Sequence, residues 1–190
     1  IYTHTDDFFH DTFLLPEFVK TSIARNRLGR KSGAGLYRVV KLENGIKRQT
    51  VLDIDTGMFR VRNAYVFPFA EQMKESIAEG DYAKAMKTLI TNHSLEAEIC
   101  LSFLLKYITY SLYTAKQVGD TVEAADDVMA TGFNWCPPLA MIQALSLAAD
   151  VRSLILERLP DICVKVDFDA LWTDVKPSRY DYRPYFKSGR

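Results

Sequence analysis

The chain has 190 residues, of which 48% are apolar and 25% charged, and Lys+Arg and Asp+Glu number 24 each, so the formal net charge is zero. That apolar share fills one substantial core or two small ones, which excludes disordered and collagen-like classes. The cancelled charge argues against nucleic acid or an anionic membrane as the main partner, with a local basic patch at Arg25, Arg27, Arg30 and Lys31 left open.

In chain order, the first feature is a cluster of His4, Asp6, Asp7, His10 and Asp11, side chains of a kind a metal could use. No second histidine cluster exists to complete a site, so the segment reads as a solvated terminal loop and no metal is expected. Pro16 then precedes apolar residues at Phe18, Val19, Ile23 and Leu28, which predicts a short amphipathic helix stopped by Gly29. Between Leu36 and Arg62, Val51, Ile54, Phe59 and Val61 sit among polar residues, and Asp55-Thr56-Gly57 is a turn signal; a small β-hairpin is predicted.

From Pro68 the pattern turns helical, with one helix over residues 68–78 ending at Gly80 and another over 82–90 begun by Asp81 as N-cap. Residues 94–118 form the longest predicted helix. Leu95, Ile99, Leu101, Phe103, Leu105 and Ile108 place apolar groups on nearly every face, so it reads as the buried centre of a bundle, with a subunit interface as the alternative. Gly119 ends it, and Asp120 with Glu123 makes a capping-box-like start for a helix running to Gly132. Pro137 and Pro138 each fix φ and remove a donor, predicting a rigid break. Helices over 139–148 and 150–159 complete the domain before Pro160, and the tail from Thr173 reads as irregular, docked by Tyr180, Tyr182, Tyr185 and Phe186.

Few groups suggest chemistry. Lys31-Ser32 imitates part of a phosphate loop, but Gly33 and Gly35 follow the lysine where that loop needs its glycines first. Asp126 and Asp127 point about 100° apart on a helix, so they read as solvated helix charge rather than an acid-base pair. His93 reads as part of a cap beside Asn92 and Ser94. Cys100, Cys136 and Cys163 are odd in number and lack a C-x-x-C pair, which suggests neither a disulfide framework nor a zinc site and fits a reducing, cytoplasmic setting. The most apolar run is far shorter than the roughly 20 residues of a membrane span.

Two stretches carry a resemblance. Residues 28–37 (Leu-Gly-Arg-Lys-Ser-Gly-Ala-Gly-Leu-Tyr) resemble the G-[RK]-K-[ST]-G-x-G-[FL]-Y signature of the 3-hydroxyacyl-CoA dehydrogenase C-terminal region. Residues 125–135, ending Gly132-Phe133-Asn134-Trp135, are similar to that family's D-x-A-M-x-x-G-F-N-W helix end. After the aromatic the family usually shows P-x-G-P, whereas this chain has Cys136-Pro137-Pro138, one residue shorter and without the glycine.

The resemblance implies a mainly all-α fold, a 6-phosphogluconate-dehydrogenase-like C-terminal helical bundle with a small β-hairpin insert. Residues 1–40 would be the end of a first helical repeat truncated at its start, 41–67 a hairpin connector, 68–172 the second helical domain and 173–190 an irregular tail. For the whole protein it implies NAD-dependent oxidation of an L-3-hydroxyacyl-CoA in fatty-acid β-oxidation. The catalytic His-Glu pair and the NAD would belong to a Rossmann domain. No G-x-G-x-x-G follows a strand here and the chain opens at Ile1, so it reads as a piece of a longer protein with no catalytic residue, cofactor or metal of its own.

Arg30, Lys31, Asn134 and Trp135 are the expected substrate-proximal residues, while Gly29, Gly33, Gly35, Tyr37, Gly132, Pro137 and Pro138 are expected to serve the backbone. The implied partners are an acyl-CoA, held together with the parent Rossmann domain, and further copies in a homo-oligomer. A non-catalytic helical assembly module is the alternative, and the altered Cys136 turn also allows a relative with a changed substrate.

Overall fold

The computed structural model describes residues 6–186, except the side chain of Thr12. The chain divides into two compact units, Ile1–Tyr65 and Val66–Arg190. It is mostly helical with one small antiparallel sheet. His4 lies outside the described residues.

In the first unit a 3-10 turn (His10–Phe13) precedes α1 (Glu17–Ala24), which starts directly after Pro16. The helix stops earlier than the sequence pattern predicts, at Asn26 rather than Gly29. Asn26 takes the left-handed conformation (φ 54°), its N–H donates to Ile23 O at 2.9 Å, and the Arg27 N–H donates to Ser22 O at 2.8 Å. This pair of bonds is a Schellman cap, and asparagine tolerates left-handed backbone well enough to stand in for glycine.

The predicted hairpin is a three-stranded meander of β1 (Tyr37–Lys41), β2 (Lys47–Leu52) and β3 (Phe59–Val61), paired in sequence order. Its register sets Tyr37 opposite Val51, Lys41 opposite Lys47 and Val51 opposite Arg60. The additional turn is made by Asn44-Gly45, a strong hairpin signal, with Gly45 at φ 80°. At the second turn the Asp53 carboxylate accepts from the Asp55 and Thr56 N–H groups at 3.2 and 3.0 Å and binds the Arg60 guanidinium at 3.0 Å. Both interactions hold its pKa below the usual carboxylate value.

The second unit opens with α2 (Pro68–Ala78) and α3 (Tyr82–Thr91), the latter capped by Asp81, whose carboxylate accepts from Lys84 N at 2.9 Å. Helix α4 (Leu95–Val118) is capped by Ser94. It buries one stripe only, running through Ala97, Leu101, Leu105, Ile108, Leu112 and Ala115. Leu95, Ile99 and Phe103 are 71, 59 and 57% exposed, so α4 is not the all-round buried element that its composition suggests. The deepest helix is α6 (Pro138–Ser146), which buries Leu139, Ala140, Met141, Ile142, Ala144 and Leu145 and packs against α3, α4 and α5 (Glu123–Asp127).

Two other expectations need correction. Asp120 does not cap α5; the residue before that helix is Val122, which is buried and has no capping side chain, so a buried apolar contact anchors the turn. Pro160 opens a helix instead of closing the domain: α7 (Val151–Arg158), capped by Asp150, runs on into α8 (Pro160–Lys165) and α9 (Phe168–Thr173). Proline suits the first helical position, where its missing N–H has no intrahelical partner. The described part of the tail includes a short turn, α10 (Arg183–Phe186), and both Tyr182 and Phe186 meet the Tyr82 ring edge-on. Among the described residues no single helix is long and apolar enough to cross a membrane.

Candidate functional site

The glycine-rich stretch of the first unit is a tight loop built around one hydroxyl. Ser32 Oγ accepts the Leu28 N–H at 2.8 Å and lies 3.1 Å from the Gly29 and Ala34 carbonyls, while Gly29 N donates to Ala34 O at 2.8 Å. Gly29 (φ 123°) and Gly33 (φ 83°) occupy backbone that side chains resist. Gly35 is demanded by proximity, since a Cβ there would lie 2.9 Å from Gly29 Cα. The loop therefore presents Arg30 and Lys31 to solvent on a 3-10 turn, with no ion pair at either among the described residues. Tyr37 begins β1 and is exposed.

In the second unit, α5 continues without a break into a π-helical turn, Val128–Phe133. Asn134 ends it in left-handed backbone (φ 50°), and the Trp135 N–H donates to Met129 O at 3.0 Å. Asn134 and Trp135 are thus exposed neighbours on the rim of this turn. Gly132 carries no steric demand; an added Cβ would meet nothing within 4 Å. Pro137 and Pro138 are buried at the head of α6.

The two prolines offer α6 no N–H until Leu139, and the Leu139 N–H donates to Asp126 Oδ1 at 2.8 Å. Asp126 is buried, not solvated, and its other oxygen accepts the Ser178 hydroxyl. Burial pushes its pKa up, opposed by these two hydrogen bonds. Asp127 binds the Arg179 guanidinium and accepts the Tyr180 hydroxyl at 2.9 Å, so the adjacent carboxylates fasten the tail to α5. Nearby, the Tyr107 hydroxyl donates to Cys136 O at 2.7 Å, and burial pushes the Cys136 thiol up to about 12. A thiol that resists ionisation is a poor nucleophile.

A groove of about 350 Å³ runs between α4 and the α5–π segment, with Tyr110, Thr114 and Val118 on one wall and Ala124, Val128 and Met129 on the other. The lining is almost wholly apolar. Gly119 lets the two walls meet, because a Cβ there would crowd Ala115 O at 2.9 Å and Ala124 Cβ at 3.2 Å. Among the described residues the buried Thr114 hydroxyl has no hydrogen-bond partner, and such an orphan has a standing need for one. Met129, which bonds Trp135, joins the predicted Asn134-Trp135 turn to this groove. Arg30 and Lys31 belong to the other unit.

His93 does have a carboxylate neighbour, Glu98, at 3.3 Å. The ring is 79% exposed and Glu98 also binds Arg158 at 2.8 Å, so this is a surface contact remote from general-base geometry. Among the described residues no three His, Cys, Asp or Glu gather as metal ligands. The sequence signals missed the groove and the Asp126 anchor. The anchor pairs residues thirteen apart through a fold contact, which no local pattern announces.

No family model matches the chain, and no solved structure matches it. Among curated proteins it is similar to the "Probable 3-hydroxyacyl-CoA dehydrogenase" of Bacillus subtilis (strain 168), 25% identical over 157 residues. The match covers 81% of this chain and 19% of that protein, so the chain spans about a fifth of the length of the curated relative it matches.

Proposed function

We propose that this chain is the C-terminal, substrate-closing and subunit-assembling part of an NAD-dependent L-3-hydroxyacyl-CoA dehydrogenase, with the hydride-transfer residues and the NAD in a Rossmann domain outside it. The observation that carries this reading is the apolar groove beside the Asn134-Trp135 turn, with the Thr114 hydroxyl, unpartnered among the described residues, in its wall. A mostly apolar trough with a few hydroxyl groups, those of Tyr110, Ser111 and Thr114, suits the acyl end of a thioester substrate. The distant likeness to the B. subtilis protein supports the same reading. The chain's contribution to rate would be to position the acyl chain and exclude water.

Calorimetric titration of the chain with acetoacetyl-CoA and a medium-chain 3-ketoacyl-CoA, with NADH as control, tests it. Saturable acyl-CoA heat that disappears in Ala125→Phe, which fills the groove, is the expected result. Heat from NADH would overturn the division of labour. The second reading, a helical assembly module that touches no ligand, is favoured by the exposed Leu95, Ile99 and Phe103 at i, i+4, i+8 on α4. Absence of acyl-CoA heat together with concentration-dependent self-association would select it.

A further inference from the structure

The zero net charge conceals a separation. Residues 1–65 carry eleven Lys and Arg against seven Asp and Glu, net +4, and residues 66–190 carry thirteen against seventeen, net −4. The excess is concentrated in residues 25–62, which hold ten basic and three acidic residues, net +7. Of those three, Glu43, Asp53 and Asp55, Asp53 already binds Arg60.

Pairing follows the same division. In the second unit most cations, including Lys116, Arg152, Arg158 and Arg179, sit in ion pairs. In the sheet unit Arg30, Lys31, Lys41, Lys47, Arg48 and Arg62 make none among the described residues. The register aggravates this, since Lys41 and Lys47 face each other directly across β1 and β2. Like charges so placed weaken a sheet, and among the described residues neither lysine has an ion-pair partner.

The cations share their surface with aliphatic groups. Strand alternation and register put Tyr37, Val39, Lys41, Lys47, Gln49 and Arg60 on one face, and all six are exposed. The opposite face carries buried Thr50 and Leu52, and Phe59 under the Arg27 and Arg38 guanidinium groups at 5.1 and 4.3 Å. At the hairpin tip Ile46, 59% exposed, stands between Asn44-Gly45 and the Lys47-Arg48 pair.

We propose that this sheet face and hairpin tip dock on an anionic lipid bilayer surface. The partner must supply dense negative charge and also take up aliphatic side chains. A bilayer interface does both, attracting clustered Lys and Arg while accepting Val39 and Ile46 among the headgroups. Single-stranded nucleic acid matches the charge but needs aromatic stacking platforms, and this face offers Tyr37 alone.

The test is co-sedimentation of the full chain with phosphatidylcholine vesicles, with and without phosphatidylglycerol, at low and high salt. Salt-sensitive binding to the anionic vesicles alone is expected. Each basic residue at such a surface is worth about fivefold in partitioning, so the triple variant K41Q/K47Q/R48Q loses on the order of 100-fold. Ile46→Ser loses about tenfold. Lys106→Gln with Lys165→Gln in the other unit changes nothing, and far-UV circular dichroism shows every variant folded. Failure to bind anionic vesicles, equal binding by the triple variant, equal binding to neutral vesicles, or tighter binding to a single-stranded oligonucleotide each overturns the proposal.

Discussion

Asp126 ties α5 to the head of α6 and to the tail, and truncating it tests how much that tie holds. In Asp126→Ala the Leu139 N–H loses its acceptor at the head of α6, the Ser178 hydroxyl keeps only the Tyr180 N–H and loses its own acceptor, and a void opens in a buried position. A lost helix cap costs about 1 kcal/mol, and a buried donor left unmade costs about 1–3 kcal/mol. Together they predict a loss of about 2–4 kcal/mol, which lowers the melting temperature by about 10 °C in a unit of this size. Asp126→Asn keeps an oxygen for Leu139 and removes the buried charge, so it stays within about 1 kcal/mol of the parent.

The pH dependence has a definite sign. Because burial raises the folded pKa of Asp126 above its ordinary 3.8, this group's stabilising contribution is complete below that value and is lost as pH rises through the folded pKa. Asp53, Glu123, Asp150 and Asp174, all lowered, act in the opposite sense, so the informative quantity is the difference between parent and Asp126→Asn. Thermal melts followed by circular dichroism from about pH 4 to about pH 8 should show Asp126→Asn gaining on the parent as pH rises. The reasoning fails if Asp126→Ala melts within about 2 °C of the parent, if Asn is as damaging as Ala, or if the difference is flat with pH.

Gly35→Ala forces a Cβ to within 2.9 Å of Gly29 Cα, and should cost about 1–3 kcal/mol in urea denaturation of the sheet unit. Gly132→Ala, in open space, should be neutral or gain up to about 1 kcal/mol, and equal effects at the two glycines would contradict the geometry. Iodoacetamide on the native chain should label the exposed Cys100 first and reach the buried Cys136 and Cys163 only after denaturant is added. Peptide mass spectrometry showing Cys136 labelled as fast as Cys100 would refute its burial.

Local rules were legible where a single residue decides the outcome. Asp81 and Ser94 cap the helices that their positions announce, and Pro68 opens α2. What failed was burial, which depends on partners distant in the sequence. Helix α4 is richly apolar, yet only one stripe finds a partner, whereas α6, short and announced by two prolines, lies at the centre of the core. Asn26 and Pro160 misled because each has two lawful uses: asparagine can end a helix in place of glycine, and proline can begin one as readily as stop one. The candidate groove had no sequence signature, since its walls come from α4 and a turn whose π geometry no side-chain pattern specifies.

The π turn at Val128–Phe133 makes residue number as consequential as residue identity. Such a turn houses one residue more than an α-turn, and each α-helical residue advances the chain by about 100°. Deleting one residue there would restore uniform pitch and swing Asn134 and Trp135 around the axis. The loop that follows, through Cys136-Pro137-Pro138, is one residue shorter than the pattern it resembles. The rim of the groove is thus set by a count of residues, so that a single insertion or deletion in this turn would turn the exposed Asn134-Trp135 pair while the Asp126 anchor held the core beneath it to its old position.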